Sequence, residues 1–354
     1  MKKFKRIGVL TSGGDAPGMN AAVRAVTRTA LANGVEVFGI YRGYSGLING
    51  DIKRFDIRDV SNIVNRGGTI LYSDRCPEFK TEAGIQKAVE TCNDLGIDGL
   101  VTIGGDGTFR GATDLTKHGV PCVGIPGTID NDITSTDSTI GFDTAMNTAV
   151  EMIDRLRDTC ESHARCNVVE VMGRDAGDIA LQTAIATGAT AVVVPEIPHD
   201  DNAIIEKIRY SRRLGKRNFI IVVSEGVGQD YAPTLTEQIE KITGVEARFA
   251  RLAHVIRGGT PTLRDRLLAS LMGEYAVKEL LNGNSDIVIC ERNNVITSTN
   301  IHYALTLDRM HKNRLKEGDL EGFTEQEIND MRAFSKSRTE YNLALYNTTS
   351  ILGL

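Results

Sequence analysis

No run of apolar residues in this sequence approaches the ~18–20 that span a bilayer. The basic start Met1-Lys2-Lys3-Phe4-Lys5-Arg6 is followed only by Ile7-Gly8-Val9-Leu10 before Thr11-Ser12-Gly13-Gly14-Asp15, too short an apolar core for a secretory signal. A cytoplasmic protein without a membrane partner is expected, and the sequon Asn347-Thr348-Thr349 then carries no meaning. No Cys-x-x-Cys spacing occurs among the cysteines at 76, 92, 122, 160, 166 and 290, so reduced, buried thiols are expected rather than a metal or disulfide framework. Positive charge is not in excess. The 41 Lys and Arg against 46 Asp and Glu leave a net −5, which argues against nucleic-acid binding but leaves room for a local basic pocket. Tryptophan, fixed-period repeats and low-complexity tracts are missing as well. So are two nucleotide signatures, Gly-x-x-x-x-Gly-Lys-Ser/Thr and a strand followed by Gly-x-Gly-x-x-Gly.

What is present is glycine, 36 of 354 residues, at the ends of short apolar runs. Ile7–Leu10, Val35–Ile40, Gly99–Ile103, Cys122–Ile125, Val168–Met172, Ala191–Val194, Phe219–Val223 and Asp286–Cys290 read as strands buried on both faces. Between them, Phe142, Ala145, Met146, Ala149, Met152, Ile153 and Leu156 form one helical stripe. Pro261 suits the first turn of a helix running to about Leu281, with Gly283 as its stop. Past about Lys312 a polar linker leads to a capping box, Thr324-Glu325-Gln326-Glu327, and a further helix. Strand–helix alternation implies an α/β fold with mainly parallel sheets, and the length suits two domains of roughly 100–200 residues.

Three loops carry candidate chemistry. Thr11-Ser12-Gly13-Gly14-Asp15-Ala16-Pro17-Gly18-Met19-Asn20 leaves a strand and opens a helix, an arrangement suited to phosphate. Thr102-Ile103-Gly104-Gly105-Asp106-Gly107-Thr108 surrounds a carboxylate with bare glycines, leaving room for a triphosphate beside an oxygen ligand that suits Mg²⁺. Similar loops occur in NAD kinases and diacylglycerol kinases. Gly127-Thr128-Ile129-Asp130-Asn131-Asp132 places two carboxylates two residues apart, one to take a proton and one to position metal or substrate. The first loop alone could be only a tight turn, and either Asp of the third alone only a capping residue. Together they indicate Mg²⁺-dependent phosphoryl transfer.

In order and spacing these loops resemble those of the bacterial ATP-dependent 6-phosphofructokinase family. The resemblance continues through Asn65-Arg66-Gly67-Gly68-Thr69, Ser73-Asp74-Arg75-Cys76-Pro77-Glu78-Phe79, Glu170-Val171-Met172-Gly173-Arg174, Val194-Pro195-Glu196 and Arg257-Gly258-Gly259, from about residue 5 to about 290. It implies transfer of the γ-phosphoryl of ATP to the 1-hydroxyl of fructose 6-phosphate. By resemblance Asp130 is the base, Thr128 and Ile129 cradle the transferring group, and Arg75 and Arg174 offset its charge. Asp106 holds Mg²⁺, with Asp132 in support. Gly14, Arg75, Cys76, Gly105, Asp106, Gly107 and Thr108 match the nucleotide contacts. Arg165, Met172, Gly173, Arg174, Glu225, Arg248, His254 and Arg257 match the sugar-phosphate contacts, with arginines suited to a phosphate dianion.

The resemblance also implies two Rossmann-like αβα sandwiches with the active site in the cleft between them. Residues 1–140 and 255–306 are assigned to the nucleotide domain, and 141–254 and 307–354 to the sugar-phosphate domain with a C-terminal extension. A homotetramer is expected, with Arg165 and Arg248 reaching a neighbour's site. Pyrophosphate-dependent relatives carry Asp at the position of Gly107 and Lys at that of Gly127, so ATP is the expected donor. A pyrophosphate-dependent or dual-donor enzyme and a noncatalytic metabolite-sensing subunit are the rival readings, the latter opposed by Asp106, Asp130 and Arg174. Arg24, Arg28, Arg157 and Lys216 match the family's effector site for ADP and phosphoenolpyruvate, but Thr190, Leu214 and Ile57 depart from it. Weakened or altered regulation is therefore expected. Arg251, Ala253 and Ile256 are smaller departures near His254.

Overall fold

A computed structural model describes residues 4–353, and the basic Met1-Lys2-Lys3 start lies outside them. The strands, in chain order, are β1 (Arg6–Thr11), β2 (Glu36–Ile40), β3 (Ile52–Phe55), β4 (Gly99–Gly104), β5 (Cys122–Pro126), β6 (Cys166–Val171), β7 (Ala191–Val193), β8 (Phe219–Ser224), β9 (Ala247–Arg251), β10 (Ile287–Arg292) and β11 (Val295–Asn300). The chain divides into two compact units. One holds the described residues up to Ile129, then Ile133–Thr144 and Arg257–Arg332. The other holds Asp130–Asp132, Ala145–Ile256 and the described residues from Ala333.

The first unit is a seven-stranded sheet in the order β11-β10-β5-β4-β1-β2-β3, parallel from β10 to β2. Every residue of β4 and β5 is buried, which is why these strands are continuous apolar runs. On one face Leu10, Leu100 and Cys122 pack with Phe109 and Leu115 of helix Asp106–Lys117 and Val89 of helix Glu82–Leu95. The other face is covered by helices Met19–Ala32 and Leu263–Leu281, which meet so closely that a Cβ on Gly273 would lie 2.7 Å from the Ala25 methyl. The expected first-turn position of Pro261 is corrected. The helix begins at Leu263, and Thr262 caps it by accepting from the Asp265 amide at 3.3 Å.

The second unit is a fully parallel sheet, β7-β8-β6-β9. Val168, Phe219 and Ile221 pack with Ile205 and Ile208 of helix Asp201–Arg213 and with Leu235 and Ile239 of helix Tyr231–Thr243. Each fully buried side chain of this size contributes about 1.5–3 kcal/mol. The capping box at Thr324 forms in both directions. The Thr324 amide donates to Glu327 Oε2 at 2.8 Å, and the Glu327 amide donates to Thr324 Oγ1 at 3.2 Å, opening helix Glu325–Leu352.

Candidate active site

In the first unit, the chain runs from β1 outward to β2 and returns to place β4 on the other side of β1. The carboxyl ends of β1 and β4 therefore flank the point where strand order reverses, the place where open α/β sheets bind ligands. The two glycine loops leave these strand ends. The Ser12 amide donates to the Ile103 carbonyl at 2.9 Å and Thr108 Oγ1 donates to the Ser12 carbonyl at 3.2 Å, holding the loops side by side. A Cβ on Gly104 would stand 2.3 Å from the Ser12 carbonyl oxygen, so only glycine permits this approach. By contrast, a Cβ on Gly105 or Gly107 would meet nothing within 4 Å. The second loop is thus bare and open at the N-terminus of helix Asp106–Lys117, where partial positive charge favours phosphate.

Asn20 ties the next motif to this edge. Its Nδ2 donates to the carbonyls of Arg66 and Gly67 at 3.0 and 3.1 Å, and its Oδ1 accepts from the Ile70 amide at 2.7 Å. Ser73 Oγ donates to the Gly13 carbonyl, so the segment that carries Arg75 and Cys76 starts at the first loop. Arg75 is exposed, and Cys76 is half-buried against the core. Arg257 lies beside Gly14, where its Nη1 donates to the Asp15 carbonyl at 3.4 Å. A Cβ on Gly14 would fall 2.9 Å from that guanidinium.

The second unit assembles the other half of the candidate set. Asp130 is fully buried, and its Oδ2 stands 3.1 Å from Arg174 Nε, while Arg174 Nη1 is 3.8 Å from Asp132 Oδ2. Arg174 leaves the carboxyl end of β6 with φ 52°, a left-handed backbone that an arginine rarely adopts. Glu225, just past β8, supports that turn. Its Oε1 accepts from the Gly173 and Arg174 amides at 3.2 and 3.0 Å. Met172 is buried beside them, and His254 is exposed on the turn Ala253–Arg257 after β9.

Arg165 and Arg248 are not brought to this edge. Arg165 precedes β6, and Arg248 pairs with Asn167 near the start of β9. Both bind Glu246, Arg165 through Nε at 2.7 Å. Arg174 follows the other end of β6, six residues long, or roughly 20 Å away at about 3.3 Å per residue.

Arg251 has a structural partner. Its Nε and Nη2 donate to Glu170 Oε1 and Oε2 at 2.6 and 3.3 Å, which neutralises a buried carboxylate. Among the effector matches, Arg24 and Arg28 lie one turn apart on helix Met19–Ala32, and burial lowers the Arg24 pKa with help from the Arg28 charge. In the second unit, Arg157 Nη1 donates to Asn218 Oδ1 at 3.0 Å, and Lys216 Nζ donates to the Gly353 carbonyl at 2.9 Å. Thr190 is buried, with Leu214 and Ile57 exposed. The Lys216 contact was not legible in the sequence, because it needs the C-terminal helix folded back.

Among the described residues no group of three or more His, Cys, Asp or Glu forms a protein-only metal cage, and no helix is long and apolar enough to cross a membrane. Mg²⁺ needs no such cage. It is held by one or two carboxylates together with substrate phosphates, and Asp106 beside the open glycines fits that chemistry.

Comparison with known proteins bears on the family and the fold. The family model described as phosphofructokinase matches residues 6–280. A Halalkalibacterium halodurans ATP-dependent 6-phosphofructokinase is 53% identical over 87% of this chain and 95% of its own length. A Bacillus subtilis protein of the same description is 52% identical over 84% and 93%. Among solved structures, Saccharomyces cerevisiae phosphofructokinase superposes with a TM-score of 0.85 at 32% identity, covering 98% of this chain and 50% of the yeast chain. A pyrophosphate-dependent phosphofructokinase from Marinobacter aquaeolei shares the fold at a TM-score of 0.76 and 22% identity.

Proposed function

Because the chain belongs to the phosphofructokinase family, we infer that it catalyses ATP-dependent phosphorylation of fructose 6-phosphate at the 1-hydroxyl, a step of glycolysis. The observation that carries this reading is the buried Asp130 carboxylate held 3.1 Å from Arg174 Nε. Asp130 takes the proton of the 1-hydroxyl as that oxygen bonds to the γ-phosphorus. The bond from the γ-phosphorus to the β,γ-bridging oxygen breaks, and ADP leaves. Arg174 and Arg75 offset charge on the transferring oxygens, and Thr128 and Ile129 line its path. Such chemistry is positioning and electrostatics, so each group contributes orders of magnitude in rate. Bound Mg²⁺, held by Asp106 with Asp132 in support, would neutralise phosphate charge.

The first unit is assigned to the nucleotide, through Gly14, Arg75, Cys76 and Gly105–Thr108. The second is assigned to the sugar phosphate, through Met172, Gly173, Arg174, Glu225 and His254. Arg257, seated by Gly14 in the first unit, is assigned to the sugar phosphate as well. Arg165 and Arg248, at the opposite sheet edge, serve a neighbouring copy in a homotetramer working in the cytoplasm. The effector response to ADP and phosphoenolpyruvate is altered, since Lys216 already donates to the Gly353 carbonyl.

Purified protein with fructose 6-phosphate and Mg²⁺, given ATP or pyrophosphate in turn, tests the reading. Turnover with ATP is expected. Turnover with pyrophosphate alone would overturn the donor, and sugar-phosphate binding without turnover would favour a sensor subunit. Strongly sigmoidal fructose 6-phosphate saturation in the presence of phosphoenolpyruvate, relieved by ADP, would contradict the weakened or altered regulation.

A further inference from the structure

The three-residue segment Asp130-Asn131-Asp132 carries both candidate carboxylates, and Asn131 between them has φ 52°. Asparagine tolerates that left-handed backbone better than most residues, but something must hold it there. Asn131 Nδ2 donates to Asp178 Oδ1 at 3.1 Å, and its carbonyl accepts from Arg338 Nη2 at 2.9 Å. The same Nη2 donates to Asp178 Oδ1 at 3.0 Å, closing a triangle. Asn131 and Asp178 are buried, and the Arg338 side chain is only 12% exposed.

Arg338 belongs to helix Glu325–Leu352, beyond the residues 6–280 that the family model matches. The far end of that helix is fastened as well, where Lys207 Nζ donates to the Ser350 carbonyl at 2.8 Å and Lys216 Nζ to that of Gly353 at 2.9 Å. The carbonyl taken by Arg338 belongs to the peptide joining Asn131 to Asp132. Fixing that peptide plane constrains how Asp132 leaves the chain, and the side-chain bond from Asn131 to Asp178 holds the residue that follows Asp130. Arg174 meets the carboxylates of Asp130 and Asp132 at their oxygens, and Arg338 meets the backbone carbonyl of Asn131 between them.

We propose that Arg338 is a positioning residue for phosphoryl transfer, acting through Asn131 and Asp178 to aim Asp130 and Asp132. The C-terminal helix is then part of the catalytic apparatus of this chain. This rests on the assignment of Asp130 as base. A misplacement of ~1 Å costs roughly 10²-fold in rate. Arg338→Met is therefore expected to lower kcat about 10- to 100-fold, with KM for ATP and for fructose 6-phosphate changed less than about 3-fold. It should also lower Tm, because the buried Asp178 loses its cation.

The double variant Arg338→Met/Asp178→Asn separates positioning from mere stability. The carboxamide that replaces the Asp178 carboxylate is neutral and keeps an acceptor oxygen for Asn131, so Tm should recover while kcat stays low. Arg338→Lys should recover part of kcat. A kcat within 2-fold of wild type in Arg338→Met, or a kcat that recovers with Tm in the double variant, overturns the proposal. If Arg338→Met does not fold, the double variant decides alone. Low kcat at native Tm supports the role, and native kcat ends it. Inactive wild-type protein would sink the functional reading itself, whereas active wild type with an indifferent Arg338 sinks only this inference.

Discussion

Arg174 Nε stands 3.1 Å from Oδ2 of the fully buried Asp130. A carboxylate so placed has a cation beside it, and on the proposed mechanism the same guanidinium meets charge that appears during transfer. Asp130→Ser removes the proton acceptor at little cost in volume. Its kcat should fall by at least about 10²- to 10⁴-fold, with fructose 6-phosphate binding retained by calorimetry. Near-normal turnover would refute the base assignment.

Gly107 offers a test of donor choice that stability does not confound. A Cβ there meets nothing within 4 Å, and the residue sits in the first turn of helix Asp106–Lys117, where an acid is favourable. Gly107→Asp should therefore keep or raise Tm while kcat/KM for ATP drops at least about tenfold, as a carboxylate enters the space assigned to nucleotide phosphates. Unchanged ATP kinetics would remove Gly107 from the donor argument.

On the proposed homotetramer, the separation of Arg165 and Arg248 from Arg174 along β6 predicts complementation between subunits. Asp130→Ser and Arg165→Ala variants should each be nearly inactive. Denatured together and refolded, they should regain a substantial fraction of wild-type activity through mixed sites. No regain in verified hybrids would mean that these arginines act within their own chain or not at all.

Five of the six thiols are buried, and burial raises their pKa. Cys92 is pushed up to about 12 and Cys290 to about 11, with Cys122, Cys160 and Cys166 also raised. Since the thiolate is the reactive form, a thiol reagent at pH 8 should titrate one fast group, the half-buried Cys76, and six after denaturation. ATP should slow the fast reaction. More than one fast thiol would contradict the packing.

His118 ends helix Asp106–Lys117, where its ring nitrogens meet the Asp114 carbonyl at 2.7 Å and Glu82 Oε1 at 2.8 Å. These contacts, the backbone one foremost, raise its pKa above 6.5. A raised histidine stabilises fully below its ordinary pKa, and that contribution fades as pH rises through the folded value. Tm should carry a component that declines upward from about pH 6.5 and is absent in His118→Gln. An identical pH profile in both proteins would exclude it.

The central strands were legible because burial on both faces writes itself as continuous Val and Ile. β3, β9 and β11 were not, and each is an edge strand with charged or polar residues: Lys53 and Arg54, Arg248 and Arg251, Thr297 to Asn300. The hairpin joining β10 to β11 did leave a trace in Asn293-Asn294, both with positive φ. The glycine–aspartate loops could be found because their chemistry is local. Arg338 could not, since its partners lie 207 and 160 positions away. Arg251, read as an added charge near His254, is explained by Glu170, a pairing 81 positions apart that only the parallel register of β6 and β9 creates.

Glu246 holds two guanidinium groups with one carboxylate, so this three-residue cluster carries one positive charge in excess on a protein whose formal net charge is −5. Screening in ~0.15 M salt acts over about 8 Å, too short a range for acids elsewhere on the surface to cancel it. Behaviour on a chromatography column should follow that cluster rather than the whole-molecule balance. The protein should be retained on a phosphate-bearing resin at neutral pH and released by modest salt or by a sugar phosphate.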